Sequence, residues 1–137
     1  MDLMALNSLN RNTTIFIRMA NMSYGNPVGT HLLLNVYDIQ TPHLLEQLTR
    51  GLPLLREIVR ELNLTVVSEA GFQFPPVGYT YAFVLSESHF TIHTYPEYQS
   101  CYIDIFCCNP EFDPLYAVNF IKRRFGTDNA RHHVIRR

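Results

Sequence analysis

Reactive side chains crowd into one stretch of the chain, Glu87 to Cys108. It holds Glu87, Ser88, His89, His93, Glu97 and Asp104, and it ends on two adjacent thiols, Cys107 and Cys108. These types allow three kinds of chemistry. His89 and His93, four residues apart, with a cysteine nearby are potential metal ligands. That spacing converges on an ion chiefly on a helix, however, and Thr91 and Ile92 between them read as strand. A serine or cysteine beside a histidine is an activated nucleophile, and Ser88 or Cys108 with His93 has the right groups. No GxSxG or comparable nucleophile motif accompanies them. The plainest reading is a hairpin turn with hydrogen-bonded histidines and thiols that pack as small hydrophobes. On a regular strand His89, His93 and Glu97 share one face, and Ser88 faces the other way unless the turn rotates it.

The elements that must position this stretch follow from pattern. His31 to Tyr37, bounded by Gly29 and Asp38, predicts a buried strand. Thr41-Pro42 offers an N-cap and a proline at the first helical position. Leu45, Leu48, Leu52, Leu55, Val59 and Leu62 then recur at spacings of three and four, one apolar helix face. Gly51 and Pro53 predict a kink or a break into two helices. Leu64 to Val67 predicts a strand, and Gly71 to Gly78 (GFQFPPVG) a loop, since two prolines do not fit a central strand. Tyr79 to Leu85 and Phe90 to Thr94 predict strands joined by a tight turn at Ser86-Glu87-Ser88. Tyr95-Pro96-Glu97 ends the second of these, and Tyr102 to Phe106 makes another. Asp113-Pro114 opens a helix with Val118, Ile121 and Phe125 on its apolar face. Lys122, Arg123 and Arg124 complement its negative end, and Gly126 stops it. His133 to Ile135 predicts a last edge strand. The order of strand, helix, four strands, helix and strand implies an α+β fold: a two-layer sandwich of a mostly antiparallel sheet with two helices on one face.

Composition bounds the function. A chain of 137 residues with 47% hydrophobic residues suits one domain with a single core, and is too apolar to be disordered. A formal net charge of -1 argues against a general nucleic-acid binder. No apolar run approaches the roughly 18 residues of a membrane helix. Three clustered cysteines, Cys101, Cys107 and Cys108, without CxxC spacing make a poor disulfide framework and a poor zinc site, and suit a reduced, cytoplasmic protein. Residues 1–28, with Asp2, Arg11 and Arg18 and no apolar stretch of export-signal length, read as a flexible extension, and 29–137 as the domain.

Glu87 to Glu97, ESHFTIHTYPE, resembles the processing-site motif of the pyruvoyl-dependent S-adenosylmethionine decarboxylases of prokaryotes. The likeness continues in order on both sides. GTHLLLNVYD (Gly29 to Asp38) resembles the family's opening strand, FQFPPVGYT (Phe72 to Thr80) its aromatic-proline loop, YIDIFCCN (Tyr102 to Asn109) the strand ending in its catalytic cysteine, and Asp113-Pro114 its second helix start. The resemblance implies a proenzyme in which Ser88 attacks the carbonyl of Glu87. Cleavage between them leaves a β chain of 1–87 and an α chain of 88–137 that begins with a pyruvoyl group derived from Ser88. It implies that His93 is the base of processing and Thr80 an assisting hydroxyl, where the family usually has serine. The pyruvoyl carbonyl then forms a Schiff base with the substrate amine, and Cys108 is the general acid that reprotonates the substrate carbon. Phe74 and Tyr95, one of them usually tryptophan, stand where two aromatics sandwich the adenine, and Glu97 where a carboxylate holds the ribose diol. No pyridoxal phosphate and no metal is implied; the single lysine, Lys122, lies at a helix end where a pyridoxal Schiff base is poorly placed. The product would be the decarboxylated aminopropyl donor of polyamine synthesis, made by a homodimer of processed protomers in the cytoplasm, without nucleic acid or membrane.

Departures keep one alternative open, an arginine or ornithine decarboxylase of the same family; an unprocessed binding or regulatory homologue is a different class, against which all the processing residues are present. Phe72-Gln73 stands where the family commonly has His-Arg. Tyr79 and Tyr81 flank Thr80, and two bulky phenols there are expected to narrow or reshape the site.

Overall fold

A computed structural model describes residues 28–137. The expected extension therefore lies outside the described residues, Val28 excepted. Six strands form one antiparallel sheet: β1 (Thr30–Val36), β2 (Val66–Gln73), β3 (Tyr79–Leu85), β4 (His89–Tyr95), β5 (Ser100–Cys107) and β6 (Ala130–Arg136). Their spatial order is β2-β3-β4-β5-β1-β6, so the central pairs are β4 with β5 and β5 with β1. Among the described residues the helices are α1 (His43–Glu46), α2 (Leu48–Glu61) and α3 (Pro114–Phe125), and a 3-10 turn spans Pro96–Tyr98. This is the expected α+β two-layer arrangement.

Alternation along the strands produces the layers. Successive side chains point to opposite faces, and β1 accordingly alternates buried and half-buried positions. Leu32, Leu34, Phe83, Phe90, Ile92, Ile103 and Ile105 all turn to one side, where they pack on Leu55 and Ile58 of α2 and Val118, Ile121 and Phe125 of α3. Each such side chain contributes about 1.5–3 kcal/mol by leaving water. Among the described residues the opposite face carries no helix. Register places His31, Thr80, His89, His93, Tyr95, Tyr102, Asp104 and Phe106 there.

α3 begins as read. Asp113 Oδ1 accepts from Leu115 N (3.0 Å) and Tyr116 N (3.1 Å), satisfying donors that the first turn leaves free. The first helix differs. Thr41 makes no cap: Pro42 holds the cap position with no side-chain bond, and Thr41 Oγ1 is buried without a partner. The helix does break in two, but at Gln47, whose backbone is extended, and not at Gly51 or Pro53, which both lie inside α2. Gln73 bridges that break. Its side-chain oxygen accepts from Leu48 N at 2.6 Å, while its amide nitrogen donates to Glu46 O at 2.8 Å and Gly78 O at 2.9 Å. Gly71, Phe72 and Gln73, read as loop, belong to β2, which runs eight residues because its pairing with β3 persists to Gln73–Tyr79. β2 is an edge strand, so a single partner sets its length. Glu97 leaves the strand face because Pro96–Tyr98 winds into the 3-10 turn.

Gly51 is required by close approach. A Cβ there would stand 2.0 Å from Tyr79 Oη, the hydroxyl that donates to Leu44 O at 2.6 Å. Helix propensity favours alanine at this position, but the steric cost runs the other way. Gly51→Ala is expected to destabilise the domain by about 1–3 kcal/mol through overpacking and loss of the Tyr79 bond. Urea unfolding measures this as a lower midpoint; a raised midpoint would contradict the packing account.

Candidate active site

Ser86 and Glu87 form the corner of the β3–β4 hairpin. Leu85 N donates to Ser88 O at 2.9 Å and Ser88 N to Leu85 O at 3.4 Å, so the Glu87–Ser88 peptide lies in a tight turn pinned on both sides. The Ser88 hydroxyl donates to the Glu87 carbonyl oxygen, the carbonyl that precedes it. Cys108 N donates to Ser88 Oγ at 3.1 Å, and Ser88 Oγ lies 3.6 Å from Cys108 Sγ. The turn thus rotates Ser88 toward the end of β5. Room for the thiol depends on Gly29: a Cβ there would stand 2.6 Å from Phe106 Cε2 and 3.1 Å from Cys108 Sγ.

The three thiols are free, and their surroundings separate them. Cys101 is completely buried and burial pushes its pKa far up. Cys107 points into the core; burial raises its pKa, Cys108 and Glu87 add to the rise, and a backbone bond from Asn109 partly opposes it. Cys108 is only half-buried.

A second group stands at the other end of β4. His93 pairs with Thr80 across the β3–β4 ladder, and Thr80 Oγ1 and His93 Nδ1 are 2.8 Å apart. Tyr95 follows on the same face, its ring 5.1 Å from that of Tyr102. Phe74 lies just past the end of β2 against Phe72, with ring centroids 5.0 Å apart, and Glu97 is exposed in the turn after β4. The flanking phenols do not crowd Thr80. Tyr79 and Tyr81 alternate to the opposite, core face, where Tyr79 bonds Leu44 O and Tyr81 Oη donates to Glu69 Oε1 at 2.8 Å. The expected narrowing by these two residues is corrected by that alternation.

Within one chain the two groups do not meet. Ser88 and His93 are five residues apart along one strand, roughly 16 Å at about 3.3 Å per residue, beyond the joint reach of an imidazole and a hydroxymethyl group. His89 and His93, paired in the metal reading, diverge in the same way: His89 faces Asp104, while His93 faces Thr80.

These features suit a self-cleaving turn with a thiol beside it, and comparison with known sequences and folds is specific. Residues 30–137 match the sequence model of the S-adenosylmethionine decarboxylase family. The chain belongs to that family. An S-adenosylmethionine decarboxylase proenzyme of Clostridium botulinum is 36% identical over 94 residues, covering 69% of this chain and 80% of that protein. One from Fervidobacterium nodosum is 32% identical over 108 residues, covering 79% and 77%. The crystal structure of the adenosylmethionine decarboxylase from Aquifex aeolicus superposes with a TM-score of 0.74 at 26% identity, covering 82% of this chain and 92% of that one. The activity that goes with this membership is decarboxylation of S-adenosylmethionine by a carboxy-lyase, and nothing among these matches favours arginine or ornithine.

Two features of the site escaped the sequence reading. His31 and Asp104 join His89 in a polar cluster, which only the β1–β5–β4 register brings together. The space that Gly29 leaves for Cys108 was equally hidden. Alkylation with iodoacetamide near neutral pH is expected to label Cys108 well before Cys101 or Cys107, whose thiolates burial disfavours. Peptide mass spectrometry reads this directly; equal labelling of all three in the folded protein would contradict it.

Proposed function

We propose that the chain is a self-processing decarboxylase that acts on S-adenosylmethionine with a pyruvoyl group made from its own Ser88. The observation that carries this reading is the Ser88 hydroxyl set against the Glu87 carbonyl in a pinned turn, with Cys108 beside it. Attack of Ser88 Oγ on the Glu87 carbonyl carbon breaks the C–N bond and leaves an ester. Removal of the residue-88 α-proton then expels the Glu87 carboxylate as the Cβ–Oγ bond breaks. Tautomerisation and addition of water release ammonia and leave a ketone at residue 88. The residues fit that product: the Ser88 oxygen leaves in the Glu87 carboxylate, the base takes and returns a proton, and only water is consumed. Once formed, the group supplies a conjugated carbonyl that holds the substrate amine and accepts the electrons freed as carbon dioxide leaves. Cys108, 3.6 Å from Ser88 Oγ, supports the role of the acid that returns a proton to the substrate carbon. His93, oriented by Thr80, is the base of processing; Phe74 and Tyr95 take the adenine and Glu97 the ribose.

His93 serves a neighbouring copy. The roughly 16 Å between Ser88 and His93 is closed when two chains meet open face to open face about a two-fold axis, each lending its Thr80 end to the other's Ser88 end. Exposed Tyr95, Tyr102, Val84 and Ile135 give that face apolar contact area. Among the described residues no helix is long and apolar enough to cross a membrane. Three free thiols accord with a reducing cytoplasm, where the product would feed polyamine synthesis.

Co-expression of two defective chains tests both claims. Ser88→Ala has nothing to cleave, and His93→Ala lacks the base, so neither alone is expected to be cut. Paired, the His93→Ala chain receives an intact His93 from its partner and is expected to be cut between Glu87 and Ser88, read from intact mass. A mixed pair that stays uncut while wild type is cut would overturn the shared site.

A further inference from the structure

One polar cluster on the open face has no part in the chemistry above. His31 of β1, His89 of β4 and Asp104 of β5 come from three neighbouring strands, with ligand atoms within 4.8 Å of one another. His89 Nε2 lies 3.3 Å from Asp104 Oδ1, and His31 Nε2 bonds the same oxygen. The two rings meet edge to face at 5.9 Å and both lean on Phe106. The Arg137 guanidinium sits 4.9 Å from the Phe106 centroid, and its Nη1 is 3.4 Å from His31 Nδ1.

Protons can be assigned from these contacts. A guanidinium only donates, so His31 Nδ1 accepts and the His31 proton is on Nε2, aimed at Asp104. A carboxylate only accepts, so His89 Nε2 donates as well. That arrangement differs from a metal site, in which each Nε2 lone pair faces the ion and Nδ1–H is the donor. The cluster is one carboxylate shared by two ring N–H groups.

Its place in the chain gives it a purpose. Before cleavage residue 88 is held from both sides, by the turn and by β4. After cleavage, on the reading proposed above, it is a chain end, and chain ends fray. His89 is the first residue able to hold it. Its backbone pairs with Phe106, two residues before Cys108, and its side chain reaches Asp104. We propose that Asp104, braced by His31, anchors His89 so that the chain end created by cleavage stays beside Cys108. These are positioning residues: they act through residue 88 and touch no substrate.

Asp104 is 37% exposed on the sheet face opposite α2 and α3, so replacing it leaves the core intact. Asp104→Asn keeps an oxygen for both ring donors; Asp104→Ala keeps none. Each is examined by intact mass, by hydrogen exchange of the 89–92 segment and by steady-state kinetics, with exchange repeated in an uncut Ser88→Ala background. Asp104→Ala is expected to be cut, and to exchange about tenfold faster over 89–92 only in the cut protein. Its kcat is expected to fall by up to about 100-fold, the scale of a 1 Å misplacement, with KM little changed. Asp104→Asn recovers most of both. The anchor is overturned if Asp104→Ala exchanges and turns over like wild type, blocks cleavage, or loosens the uncut protein equally. It is also overturned if Asp104→Asn behaves like the alanine variant. A wild-type chain that is never cut removes the processing reading, and the anchor with it; a cut chain with a normal kcat in Asp104→Ala removes the anchor alone.

Discussion

His89 stands opposite Phe106 in the ladder between β4 and β5, and that one register decides what can meet Ser88. It carries Cys108, two residues beyond Phe106, to the mouth of the hairpin turn, and it sets Asp104 across from Thr91 and within reach of His89. A slip of a single residue would reverse every side chain of one strand, sending the thiol and the carboxylate into the core. The slip is opposed by the core itself. Phe90, Ile92, Ile103 and Ile105 are almost fully buried and interlock with the helices, so the apolar half of each strand holds the polar half in place.

The same alternation explains how a small sheet keeps a chemical surface. Among the described residues the helices take one face, and most of the large hydrophobes turn to it. Histidines, hydroxyls and one carboxylate fall on the other. Tyr79 and Tyr81 illustrate the rule: each neighbours Thr80 in sequence, yet both phenols are buried on the far side, one over Gly51 and one bonded to Glu69. Glu69, half-buried and paired with Arg56, is held below the usual carboxylate range by that guanidinium and then by the Tyr81 hydroxyl. Thr80 and His93 are left free to pair on the open face.

Much of this was legible from residues alone. Short apolar, aromatic and β-branched runs between turn residues placed β1, β3, β4 and β5 within a residue or two, and the Asp113-Pro114 cap fixed the start of α3. The hairpin at Ser86 to Ser88 could be read from its polar interruption. What could not be read depends on distant partners. The break at Gln47 is stabilised by Gln73, whose side chain bonds Leu48 N twenty-five residues earlier in sequence, so local propensity pointed to Gly51 and Pro53 instead. β2 extends to Gln73 because β3 pairs with it, against the loop-like composition of that stretch. The His31–Asp104–His89 cluster joins residues up to 73 positions apart, and only register reveals it. The motif between Glu87 and Glu97 carried the functional reading, but it could not tell that its serine and its second histidine lie too far apart to serve one another within a chain.

One covalent event, cleavage between Glu87 and Ser88, underlies the proposed activity, and the intact mass of the purified wild-type protein measures it. The prediction is two pieces, residues 1–87 and 88–137, the second lighter than its sequence by the exchange of the Ser88 amine and hydroxyl for a ketone, and resistant to amino-terminal sequencing. A single uncut chain with an ordinary Ser88 would contradict it.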